Sequence, residues 1–300
     1  MSTSVAATRG VAGAAARSRR RRTPRFKFLP TLALLAGAIY CLAPVLWVFI
    51  ALTKTRGELF STATYLPSFG PGLIENIRDL SSYENGRFWR WGLNSVFYAG
   101  VGSALSAIVS ALAGYGLAKY RFRGRTALFN LLLAGVLMPQ IILAIPQYLL
   151  LAKVGLAGTY WSVLLPSIIS PFGIYLCRVY AAASVPTETL EAGRIDGAGE
   201  LRLFVSVALP MMAPALVTVF LLQFVGNWNN FLLPYIMLSD QDTFPLTTGL
   251  FTMLNQGAQQ PALYSLVIAG VVISIIPLIA LFLTLQRYWR IDLISGGLKG

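Results

Sequence analysis

Six stretches of the chain carry no Asp, Glu, Lys or Arg; they lie within 28–53, 91–118, 126–152, 154–177, 203–239 and 243–286. Each holds at least the roughly 20 mainly apolar residues that cross a bilayer as a helix. A helix satisfies its backbone donors and acceptors internally, as lipid requires. The pattern predicts spans near 29–53, 93–117, 127–151, 161–183, 211–234 and 263–286. The last two uncharged stretches exceed one span, so their surplus forms helix ends and loop. Segments 54–90 and 237–262 read as loops with some local structure. The expected fold class is all-α, a polytopic membrane protein with six transmembrane helices.

Prolines punctuate these spans at Pro44, Pro139, Pro146, Pro166, Pro171 and Pro277. Each removes a backbone hydrogen bond and bends its helix. Pro166 and Pro171 interrupt the fourth span, and Arg178 lies near its end. Small residues recur in Ala99-Gly100-Val101-Gly102-Ser103 and Ala111-Leu112-Ala113-Gly114, where they let helices approach closely. Ordinary helix packing and bent helices around a cavity both fit.

Composition agrees. Of 300 residues 56% are hydrophobic and 12% charged, about half the charge of a soluble domain. Disorder of the whole chain is excluded by that hydrophobicity. The two cysteines, Cys41 and Cys177, sit in apolar runs and read as buried thiols rather than a disulfide framework. There is no histidine, so the commonest general base and metal ligand are missing. No acid lies well inside a span, where proton relays keep one. The reading has no catalytic residue, metal site or cofactor. No glycine-rich phosphate loop occurs either. The chain reads as a passive conduit, not an enzyme, with its energy supplied from elsewhere.

The net charge of +13 resembles a nucleic-acid signal, but its distribution indicates otherwise. Lys and Arg number 18 in the tail 1–27, the loop Lys119–Arg125, the loop holding Arg178, Arg194 and Arg202, and the segment 287–300. Six lie in the alternate segments. The positive-inside rule then puts both termini in the cytoplasm of a cell-membrane protein. The excess charge sets topology and meets anionic lipid headgroups. The Arg19–Arg22 run precedes an apolar stretch too long for a signal-peptide core. Residues 1–27 are expected to be a disordered basic tail, 28–286 the transmembrane domain, and 287–300 a cytoplasmic tail.

The segment 184–210 is unlike the rest. Pro186 suits a first helical turn, Glu188 and Glu191 lie near the positive end of that helix, and Gly197 can supply a left-handed stop. A second helix then runs into the membrane. An interfacial amphipathic segment would also fit these residues.

The spacing is more specific. Glu191-Ala192-Gly193, three residues, Gly197, nine residues, then Val207-Ala208-Leu209-Pro210 resembles the EAA loop of permease subunits of ATP-binding-cassette importers. Gly193 stands for the family's second alanine and Val207 for its isoleucine. Lys54–Phe60, Gly114–Gly124, Leu222–Phe231, Phe244–Leu246 and the ending Gln286–Gly300 resemble the six-span, maltose-type carbohydrate branch. The ending lacks the alanine-rich form common there.

The resemblance implies a type I importer permease fold and a sugar or oligosaccharide substrate. It also implies four partners: a second permease, two ATP-binding subunits and an extracytoplasmic sugar-binding lipoprotein. By the same resemblance Glu188, Glu191, Ala192, Gly193, Asp196, Gly197, Leu209 and Pro210 form the loop that docks on the ATP-binding subunit. An importer of glycerol phosphate or a peptide, and a non-transport membrane scaffold, are the alternatives. A phosphate would favour a nearby Arg or Lys, which the spans lack.

The fifth span carries Asn227-Trp228-Asn229-Asn230. Amides bond hydroxyls, and apolar sugar faces lie on aromatic rings. Gln223 is one turn before Asn227 on the same face. Gln223, Asn227 and Asn230 are the expected lining stripe, with Trp228 a further candidate. Asparagines bonded to neighbouring helices fit equally well.

Overall fold

The computed structural model describes residues 28–285. The tail 1–27 and the segment 287–300 lie outside the described residues. The described chain has helices and no strand. It divides after Leu46 into two units. The described part of the first is the beginning of helix Phe28–Leu52, whose exposed Leu34, Ile39 and Tyr40 suit a lipid-facing helix. The second unit begins at Trp47 and holds all the other helices.

Among the described residues four helices are long and apolar enough to cross a membrane: Pro30–Leu52, Arg87–Lys119, Tyr160–Ser184 and Ala262–Leu285. Two bent pairs pass the same test, which makes six when each is taken as one span. In the third span Arg125–Leu137 and Gln140–Lys153 meet at 107°. Pro139 lacks the donor that would continue the helix, and Met138 before it is extended. The fifth span is joined to the helix before it at 76°, Glu200–Met211 against Ala213–Trp228. It ends at Trp228, short of the expected 234, and Leu232–Met237 forms a separate short helix.

The second span is longer than its uncharged stretch. It starts at Arg87, with a wide π-type turn at Phe97–Val101. Arg87 and Arg90 are tolerated there because Asp242 pairs with both, at 3.6 and 3.2 Å. The fourth span breaks at Ile169–Ser170, where the Ser170 hydroxyl accepts from Gly173 N and Pro171 opens the next helix. Arg178, in that second half, lies 3.5 Å from the centre of the Phe129 ring, a cation–π contact that shelters the charge.

Two buried clusters hold the unit together. One surrounds Phe88, Trp91, Phe224, Trp228, Met253 and Leu266. The other joins the ends of spans two and four to the segment 184–210 through Tyr115, Cys177, Leu190, Leu203 and Phe204. Spans two and four touch backbone to backbone. A Cβ on Gly114 would lie 2.6 Å from both Arg178 N and Cys177 Cβ.

The loops have substance. Segment 54–90 contains helix Gly72–Ser82, pinned where Asn76 Nδ2 donates to the carbonyls of Leu52 and Lys54. Segment 237–262 contains Leu246–Gly257. Its approach is clamped on the second span: Trp91 donates to Gln241 O, and Asn94 to Asp242 O and Phe244 O.

Candidate functional site

Two features stand out, a turn and a cleft. The turn follows helix Thr187–Ile195. Gly197 has φ +82°, a left-handed conformation that glycine adopts without a Cβ penalty. Ala198 N donates to Gly193 O at 2.9 Å and Gly197 N to Arg194 O at 3.0 Å. Together these bonds make a Schellman stop, which satisfies carbonyls the helix end would leave bare. Leu190 and Leu203 anchor the segment in the second cluster. Glu188, Glu191, Ala192, Asp196 and Gly197 are exposed, while Gly193 is half-buried beneath Leu203. Leu209 and Pro210 lie farther on, in the last turn before the 76° bend.

Glu200 closes the turn. Arg194 reaches it with Nε at 2.7 Å and Nη2 at 3.2 Å, and the Tyr120 hydroxyl donates to one of its oxygens at 2.5 Å. Arg194, and then Tyr120, hold this carboxyl at about 2. Because its pKa is lowered on folding, its contribution is present above the ordinary carboxylate range and is lost as pH falls through about 2.

The cleft has a volume of about 510 Å³. It opens where the third, fourth and fifth spans are all broken. Gln223, Asn227 and Asn230 line it, with Asn229, Phe172 and Phe231. Trp228 does not. It is buried and stacked on Phe224, ring centres 5.6 Å apart. Four polar residues that the sequence pattern did not single out join the lining: Gln140, Gln147, Ser167 and Ser170. Gln140 and Gln147 are two helical turns apart on one face, a spacing visible in the sequence. None of the lining residues carries a charge.

Each predicted amide also has a structural partner. Gln223 Nε2 donates to the Ser170 hydroxyl, and Asn227 Nδ2 donates to Ser103 Oγ at 3.3 Å. Asn230 Oδ1 accepts from Leu233 N at 3.3 Å, at the start of the following short helix. The amide oxygens of Gln223 and Asn227 have no protein partner among the described residues. Both residues line a polar, uncharged space.

Comparison with known proteins shows the family. Residues 105–290 match the family described as binding-protein-dependent transport system inner membrane component. The chain is similar to the arabinooligosaccharides transport system permease protein AraQ of Halalkalibacterium halodurans, at 35% identity over 94% of this chain and 100% of the relative. It is also similar to the lactose transport system permease protein LacG of Rhizobium radiobacter, at 31% identity over 89% of this chain and 94% of the relative. Among solved structures it resembles a chain of a bacterial ABC transporter involved in the import of the acidic polysaccharide alginate, with a TM-score of 0.76, 25% identity and coverage of 89% and 98%. The chain belongs to the family of binding-protein-dependent transport system inner membrane components, the permeases of ABC importers.

Proposed function

We propose that this chain is the permease subunit of a carbohydrate importer and that the cleft is part of the sugar's path. The observation that carries this reading is the uncharged lining together with the unpartnered oxygens of Gln223 and Asn227. Sugar hydroxyls donate to amide oxygens, and Phe172 and Phe231 offer ring faces. The alginate-importing neighbour handles an acidic polymer; this cleft has no cation to meet one, and none for a phosphate. Gln140, Gln147 and Asn230 complete the proposed lining.

The turn at 184–210 is the coupling loop, and it faces an ATP-binding subunit. Its exposed Glu188, Glu191, Ala192 and Asp196 form the docking surface. Leu190 and Leu203 carry its displacement into the bundle. Two such ATP-binding subunits, a second permease and an extracytoplasmic sugar-binding protein complete the transporter. Both termini and the coupling loop are cytoplasmic, and segments 54–90 and 237–262 face outward. ATP binding closes the nucleotide-binding subunits, the coupling loops move, and the cleft opens outward. Each ligand shifts this equilibrium only by its preference for one state.

The test is uptake by the complete transporter in proteoliposomes with radiolabelled neutral oligosaccharides. The expected result is accumulation that needs ATP and the loaded binding protein. Uptake of only phosphorylated or peptide solutes, or none driven by ATP, would overturn the reading.

A further inference from the structure

The coupling loop of this chain has a bond that its docking role does not require. Glu200 lies at the start of helix Glu200–Met211 and ties three elements at one carboxylate. Arg194 comes from the end of the coupling helix, and Tyr120 is the first residue after the second span. The link to Tyr120 is built rather than incidental. Its ring meets the Tyr115 ring at 5.7 Å, and Tyr115 packs on Phe204 at 5.2 Å. Arg125 holds the turn from below, reaching the carbonyls of Tyr120 and Ala118 at 3.4 and 3.5 Å.

From Tyr120 the second span runs back as one continuous helix to Arg87. At about 1.5 Å per residue, Ser103 lies roughly 26 Å along it. There the Ser103 hydroxyl accepts from Asn227 of the cleft. Beside this bond Gly102 is in tight contact with Ser167, another lining residue; an added Cβ would lie 2.6 Å from its hydroxyl. At its far end the helix holds segment 241–246 through Trp91, Asn94 and Ser95. The helix therefore has a bonded grip at the coupling loop, at the cleft and at the opposite loop.

We propose that Tyr120 is a positioning residue for transport. Its bond to Glu200 makes the second span move with the coupling loop, so that Asn227 and segment 241–246 shift together with the ATP-binding subunits. This is a second route beside the direct one through the helix that follows the loop. The proposal rests on the coupling role assigned above to segment 184–210.

The test uses the complete transporter in proteoliposomes and reads sugar moved per ATP hydrolysed. Tyr120→Phe removes one hydroxyl and leaves the ring packing. It should lower the ratio about two- to fivefold, the range of an exposed contact to a charged group. ATPase activity without sugar and the yield of complex should stay at wild-type levels. Glu200→Gln keeps an acceptor without the charge and should give an intermediate ratio. Ser103→Ala should also lower the ratio, and combining it with Tyr120→Phe should add little, because both lie on one route. An unchanged ratio in Tyr120→Phe would overturn the proposal. So would uptake and ATPase falling in proportion with complex yield, or full additivity with Ser103→Ala. A wild-type complex that moves no sugar would instead sink the functional reading, so the two failures are distinct.

Discussion

Leu203 lies over Gly193, and a Cβ on Gly193 would come within 2.5 Å of Leu203 Cδ2. Position 193 is where the resembled motif has its second alanine. Here the leucine occupies that alanine's methyl space, and Leu203 is itself 1% exposed and so has nowhere to swing. The departure from the motif is one packing solution shared by two residues.

Gly193→Ala should therefore destabilise the folded permease by about 1 kcal/mol, the overpacking cost exceeding the helix-propensity gain. In a Leu203→Ala background the same substitution should stabilise by about 0.5 kcal/mol, since only the propensity term is left. Unfolding of the purified permease in detergent measures both. The same sign in both backgrounds would contradict the packing account.

Two glycines two residues apart should behave oppositely. Gly114 has Arg178 N and Cys177 Cβ 2.6 Å from its missing Cβ, whereas nothing lies within 4 Å of the Cβ position at Gly116. Gly114→Ala should push spans two and four apart and cost about 1–3 kcal/mol or more. Gly116→Ala should be neutral or slightly stabilising. Thermal unfolding of the two variants side by side checks this.

Orientation follows from the charge asymmetry. With Cys41 and Cys177 replaced by alanine, Thr126→Cys and Gln256→Cys place single thiols at exposed positions. An impermeant thiol reagent should label only the Gln256→Cys protein in intact cells and both proteins after lysis. Labelling at position 126 in intact cells would reverse the orientation.

Asn227→Ala and Asn230→Ala should change uptake affinity or sugar preference while complex assembly persists. Asn227→Ala removes an amide that lines the cleft, whereas Trp228→Phe, at a buried residue outside the lining, should leave preference unchanged. Michaelis constants for a series of neutral oligosaccharides separate these cases. Unchanged kinetics in both asparagine variants would make the amides structural.

The apolar spans and the turn were legible in the sequence for a physical reason. Lipid imposes a local rule on every residue of a span, and a left-handed stop imposes one on Gly197. The hidden features depend on residues far apart. Arg87 and Arg90 read as loop because Asp242, which pairs with them, is about 150 positions away. Pro139 marked a bend in the third span, but not its 107° angle, which is what lets Gln140 and Gln147 share a cleft with Gln223. Trp228 sits amid three asparagines in sequence, yet Phe224, one turn earlier, holds it in the core. The bond of Tyr120 gave no signal, since its partner Glu200 lies 80 residues on.

The most direct measurement is ATP-driven sugar uptake by reconstituted transporter bearing Gly197→Val or Glu191→Lys. Gly197 is held at φ +82°, which valine's branched side chain resists, and Glu191 is an exposed acid on the proposed docking surface. Each variant should abolish uptake while the chain still copurifies with its partner permease. Uptake at the wild-type rate by either variant would contradict the claim that segment 184–210 couples this permease to ATP hydrolysis.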